Sequence, residues 1–113
     1  MTTKTQDELV DEALRKLMVV GSGQSPDAED QELVDGKVGT LIDQLSADGI
    51  VTISDPDVIR GEFFDALASL LANLCAPDFG KSFSLDAVKY YEGRLTRTTA
   101  VSGTSEPLKV DYF

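Results

Sequence analysis

Apolar residues recur at helical spacing from the ninth position onward, and four such stretches organise the chain. Leu9, Val10, Ala13, Leu14, Leu17 and Met18 make one stripe opposite Asp11, Glu12, Arg15 and Lys16. Thr5 followed three residues later by Glu8 predicts a reciprocal cap at the start of this first helix, and Gly21 and Gly23 predict its end. Ser25-Pro26 reads as a cap followed by proline at the first helical position, opening a second helix with the stripe Leu33, Val34, Val38, Leu41, Ile42 and Leu45. Asp48-Gly49 supplies its left-handed stop. Gly36 and Gly39 inside that helix cost roughly 1 kcal/mol each, which weakens it unless another backbone passes close there and makes them a candidate contact point.

Ile50–Ile53 is a short β-branched run, expected as an extended connector or one strand of a minimal pairing. Asp55-Pro56 repeats the cap-and-proline signal, so a third helix is predicted from about Pro56 to Ala76. Its Ile59, Phe63, Phe64, Leu67, Ala68, Leu70, Leu71, Leu74 and Cys75 cover most of the circumference, the mark of a central helix. Pro77 and Phe79-Gly80 break the chain. Ser84 then caps a fourth helix, Leu85 to about Thr98, with Val88, Tyr91 and Leu95 inward and Lys89, Arg94 and Arg97 outward. The expected fold is all-α: a compact helical bundle of about four helices over residues 1–99, with residues 100–113 as an extended C-terminal arm.

The arm changes the functional picture. It has no helical period, contains Gly103 and Pro107, and ends in Leu108-Lys109-Val110-Asp111-Tyr112-Phe113, which alternates like a strand. Tyr and Phe bury much area while freezing few torsions, so Leu108, Val110, Tyr112 and Phe113 are the candidate anchors of a docking segment. Strand addition or pocket insertion is the expected mode. Arg94 and Arg97 near the end of the fourth helix are candidates for pairing with acid on an adjacent subunit, or for simply complementing the helix dipole.

With 113 residues the chain makes one domain with a modest core, and assembly is expected to supply part of its stability. The net charge is −10, and it is uneven: Met1–Gly80 holds 5 basic and 16 acidic residues, while Lys81–Phe113 holds 5 and 4. Such a balance disfavours gripping a phosphate backbone. There is no histidine, which removes Ser-His and Cys-His nucleophiles and the commonest metal ligand. Cys75 sits in an apolar run without a basic neighbour and reads as a packing residue, one that forms no internal disulfide. Gly21-Ser22-Gly23 lacks both a preceding strand and a following Gly-Lys-Ser/Thr, so it reads as a helix connection and not a phosphate loop. Asp27, Glu29, Asp30, Glu32 and Asp35 fall on a predicted helix and not on a glycine-bearing calcium loop, so they read as a solvated acidic face. No cofactor, metal or catalytic residue is implied. No signal peptide or membrane span is expected, the longest apolar run being interrupted by Asp65, Ser69 and Asn73.

Several of these segments together resemble a known family: Thr5-Gln6-Asp7-Glu8-Leu9-Val10 with Ala13–Leu17, the Leu45–Ile50 turn, the Leu74–Gly80 break and the closing Tyr112-Phe113. They are similar to the head-to-tail adaptor, or connector, proteins of tailed bacteriophages, of the packaged-DNA stabilisation or tail accessory factor type. The resemblance implies a virion structural subunit at the head-tail interface, assembled in the bacterial host cytoplasm. It implies a homo-oligomeric ring, usually dodecameric, beneath the portal protein. That ring extends the DNA channel and offers a surface to a downstream tail or stopper protein. In that family the C-terminal segment commonly reaches along the portal. An acidic channel wall lets DNA pass without specific binding. The alternative is an acidic helical regulatory protein, an antirepressor or DNA mimic, that blocks a basic partner through its front half. An enzyme working through paired carboxylates alone needs a cleft that four short helices scarcely provide.

Overall fold

The Glu8 N–H donates to the Thr5 side chain at 3.2 Å and the Thr5 N–H donates to the Glu8 carboxylate at 2.9 Å, so the predicted cap is closed in both directions. From it runs α1, Gln6–Lys16, which buries Leu9, Val10, Ala13 and Leu14, with Leu17 buried at its C-cap. The computed structural model describes the backbone of residues 3–17 and 27–102 and the side chains of 3–17 and 27–99. Met18, Gly21, Gly23, Ser25 and Pro26 lie outside the described residues.

Helix α2, Ala28–Ala47, begins later than Ser25-Pro26 predicts, because Asp27 takes the cap position in extended backbone (φ −65°, ψ 143°). Glu29 and Asp30 then occupy its first turn, where the helix dipole favours negative charge. Its buried stripe is Val34, Val38, Leu41 and Leu45; Ile42 is half-buried, and Leu33, expected inward, is 39% exposed. The main partners of α2 are α1 and the third helix, and the row at spacings of four and three is wide enough to serve both. The helix ends as predicted. Gly49 adopts φ +72°, the Gly49 N–H donates to the Ser46 carbonyl (3.1 Å) and the Ile50 N–H to the Leu45 carbonyl (2.9 Å), a complete Schellman stop.

Asp55-Pro56 starts a turn and not a helix. The Asp55 carboxylate accepts from the Asp57 N–H at 3.0 Å, and its carbonyl accepts from the Val58 N–H at 3.0 Å. That turn frees Ile59-Arg60 (β2) to pair antiparallel with Thr3-Lys4 (β1), in the register Thr3 opposite Arg60 and Lys4 opposite Ile59. The Asp57 carboxylate also accepts from the Gln6 N–H (3.2 Å), satisfying an amide that the first turn of α1 leaves without a helical partner. Helix α3 therefore spans Gly61–Cys75, and the expected first turns from Pro56 to Arg60 are corrected to turn and strand.

The central position of α3 is as predicted: it packs against α1, α2 and the fourth helix and buries Phe63, Ala66–Ala72 and Cys75. A 3-10 turn, Ala76–Phe79, closes on Gly80 at φ +74°. Asn73 then fixes the next connection. Its side-chain amide accepts from the Ser84 N–H (2.8 Å) and donates to the Ser84 carbonyl (2.9 Å), matching that backbone as a strand partner does. Ser84 Oγ accepts from the Ala87 N–H (3.1 Å), and α4 runs Leu85–Ser102, beyond the expected end near Thr98. Leu95 is buried, and Val88 and Tyr91 pack against the core edge. The result is a four-helix bundle in which one cluster from Leu9 to Leu95 closes around α3. Each fully buried Leu in it contributes roughly 1.5–3 kcal/mol relative to exposure.

Candidate functional site

The four proposed anchors, Leu108, Val110, Tyr112 and Phe113, lie outside the described residues. The structure does move the boundary before them. Ala100–Ser102 continue α4, because Ala, Val and Ser carry no helix-breaking group and the first glycine comes only at Gly103. Helix α4 thus includes residues 100–102, which the sequence pattern assigns to the arm.

The two candidate arginines separate. Arg94 lies at the surface, and its guanidinium donates to Asp65 of its own chain at 3.1 Å. The Lys16 ammonium reaches the other oxygen of the same carboxylate at 2.9 Å, so Asp65 ties α1, α3 and α4 together. The hydrogen bond from Lys16 is the main force holding the Asp65 carboxyl below its ordinary pKa, with Arg94 adding to it against the opposing pull of partial burial. Each arm of this exposed triad contributes at most about 1 kcal/mol. Arg97 stays on the surface, exposed, with no ion pair among the described residues. The sequence shows Asp65 only as an interruption of an apolar run; its two partners lie far away in the chain.

The acidic face is partly organised. Between α1 and α2 lies a cleft of about 360 Å³ lined by Asp7, Val10, Asp11, Gln31, Glu32 and Asp35. Gln6 donates to Asp35 at 2.6 Å and Gln31 to Asp11 at 3.1 Å, so two of the four carboxylates cross-link the helices through neutral amides. Among the described residues no group of carboxylates or thiols is arranged to hold a metal ion. Glu92 on α4 is pushed above its ordinary pKa by burial and by the charge of Asp48 at the end of α2. Cys75 is fully buried, and loss of hydration raises its thiol to about 11, with Asp78 adding to the effect. At neutral pH it carries almost no thiolate, which suits packing and not nucleophilic attack.

A second groove, of about 370 Å³, lies beside the end of α4. The backbone from Gly49 to Thr52 forms one wall, and Arg60, Phe63 and Thr99 form the others. Arg60 bonds Glu62 through one guanidinium nitrogen and lies over the Phe63 ring at 5.3 Å. The expected β-branched connector is here: Val51 is buried, and Val51, Thr52 and Ile53 form no hydrogen bond through their backbone groups among the described residues. Sequence inspection gave the run but not its neighbours, since Arg60 and Phe63 arrive from the far side of the Asp55 turn. Elsewhere, Phe83, Leu85 and Tyr90 are large apolar side chains left exposed around the start of α4. No described helix is long and apolar enough to cross a membrane.

No protein-family model matches the chain, and no curated protein matches it either.

Proposed function

We propose that the chain is a head-to-tail adaptor of a tailed bacteriophage, a virion structural subunit that forms a ring below the portal and joins head to tail. The observation that supports this reading is that the sequence places four large apolar residues after the end of α4. The buried cluster runs from Leu9 to Leu95 around α3, while Leu108, Val110, Tyr112 and Phe113 still follow the end of α4 at Ser102. Four large apolar groups following the last described helix favour burial against another polypeptide. In this reading the portal protein and neighbouring copies receive the arm, and the exposed Phe83, Leu85 and Tyr90 add apolar area for subunit contact. The −10 charge supports passage of DNA through a ring that does not hold it. No catalytic group is assigned, and Arg94 and Arg97 remain candidates for pairing across subunits.

The acidic cleft supports a second reading, an acidic regulatory protein that blocks a basic partner. Neutralising Asp27, Glu29, Asp30 and Glu32 separates the two: a mimic loses its partner, and an arm-docked adaptor keeps most of its portal binding. The direct test is deletion of Val110–Phe113 followed by co-sedimentation with the portal protein of the same virus. The expected result is a helical, cooperatively folding chain that no longer binds. Undiminished binding by the truncated chain overturns the arm reading.

A further inference from the structure

The groove beside the end of α4 combines two features that together define an occupant. One is the segment Val51–Ile53, which lies in no helix or strand and whose backbone donors and acceptors are unused among the described residues. The other is an apolar wall from Val51 and Phe63 with one cation, Arg60, at its side. Unused backbone groups take a strand, and the wall selects apolar side chains at alternate positions.

We propose that this groove is the resting seat of the chain's own Leu108–Phe113 segment, which adds as a short strand to the Val51–Ile53 edge before assembly. The inference rests on the reading of that segment as a docking arm. Leu108, Val110 and Tyr112 share one face of an extended segment and match the apolar wall. Pro107 has no N–H and so sits at the boundary where pairing begins. Reach is sufficient: Thr99 already borders the groove, and the six residues from Ser102 to Leu108 extend about 20 Å at roughly 3.3 Å each. A tether this short gives an effective concentration in the millimolar range. That exceeds any concentration of a second copy in dilute solution, so the segment pairs with its own body first. In an assembled ring the portal offers a competing surface, and the arm transfers to it.

The test is backbone amide exchange on the full chain, read at Val51, Thr52 and Ile53. Expected is protection in the full chain that does not change on tenfold dilution and that drops at least tenfold in a Val110→Asp/Tyr112→Asp variant, whose far-ultraviolet circular dichroism and cooperative unfolding stay intact. Unprotected amides in the full chain overturn the proposal, as does protection that survives the double substitution. Protection that fades on dilution also overturns it, by assigning the groove to a second copy. Portal co-sedimentation of the same proteins is scored separately. Portal binding without edge protection removes only the resting seat, whereas edge protection without portal binding removes the adaptor reading and leaves the seat standing.

Discussion

Gly36 and Gly39 occupy the exposed side of α2, and a Cβ placed on either meets nothing within 4 Å. The sequence marks them as a candidate contact point, and the chain's own fold brings no atom to them. Two consequences follow from physical chemistry alone. Glycine in a helix interior costs about 0.8–1.0 kcal/mol relative to alanine, because it gives up more backbone freedom on folding. With open space around both positions there is no steric penalty to set against that gain. The double change Gly36→Ala/Gly39→Ala is therefore expected to stabilise the isolated chain by about 1.5–2 kcal/mol, a large share of the roughly 5–15 kcal/mol typical of a domain. For a domain of this size that corresponds to a rise in Tm on the order of 10 °C. Circular dichroism melting and urea titration measure it, and the urea slope should stay constant because the exposed area on unfolding does not change. A fall in Tm, or none at all, refutes the reasoning, since it requires a neighbour pressed against this face of α2.

Leu71, fully buried at the centre of α3, should lose about 2–5 kcal/mol on Leu71→Ala, enough to bring the chain close to its unfolding threshold; equilibrium urea denaturation checks it. Asp65 and Glu92 should shape the acid limb of stability in opposite senses. The Asp65 carboxyl titrates lower in the folded chain than in the unfolded one, so its contribution is complete above the unfolded value and is lost as pH falls through the folded one. Asp65→Asn should accordingly cost up to about 1 kcal/mol at pH 7 and almost nothing once the pH is below both values. The Glu92 carboxyl titrates higher when folded, so its protonated form is the favoured one and that advantage is lost as pH rises through the folded value. Glu92→Gln should thus raise Tm at pH 7 and leave it nearly unchanged in acid, which melting curves across pH resolve.

Local signals were legible where the physics is local. The Thr5–Glu8 cap, the Gly49 stop and the Ser84 cap each complete their bonds within about five residues, and each is found as predicted. The dominance of α3 was legible because apolar groups around most of a helix leave only a central position for it. The failures are long-range. Asp55-Pro56 carries the same dipeptide signal whether it opens a helix or a turn, and what decides is the docking of Asp57 on the Gln6 amide and of β2 on β1, across more than fifty residues. Arg94 reads as outward from its place on the helical wheel and lies at the surface, but the wheel does not show that its long side chain reaches Asp65. The groove at Val51–Thr52 was half legible. The β-branched run announced a connector or a short strand; it forms no described strand, and only the tertiary structure brings Arg60, Phe63 and Thr99 to it.

The central claim is that a helical body uses a separate apolar segment to hold another polypeptide. Cryo-electron microscopy of the full chain mixed with the portal protein tests it most directly. The account predicts a radially symmetric ring under the portal, with Leu108, Val110, Tyr112 and Phe113 of each subunit packed into a neighbouring chain. A ring in which those side chains still lie on their parent bundle, or a mixture in which no ring forms, contradicts it.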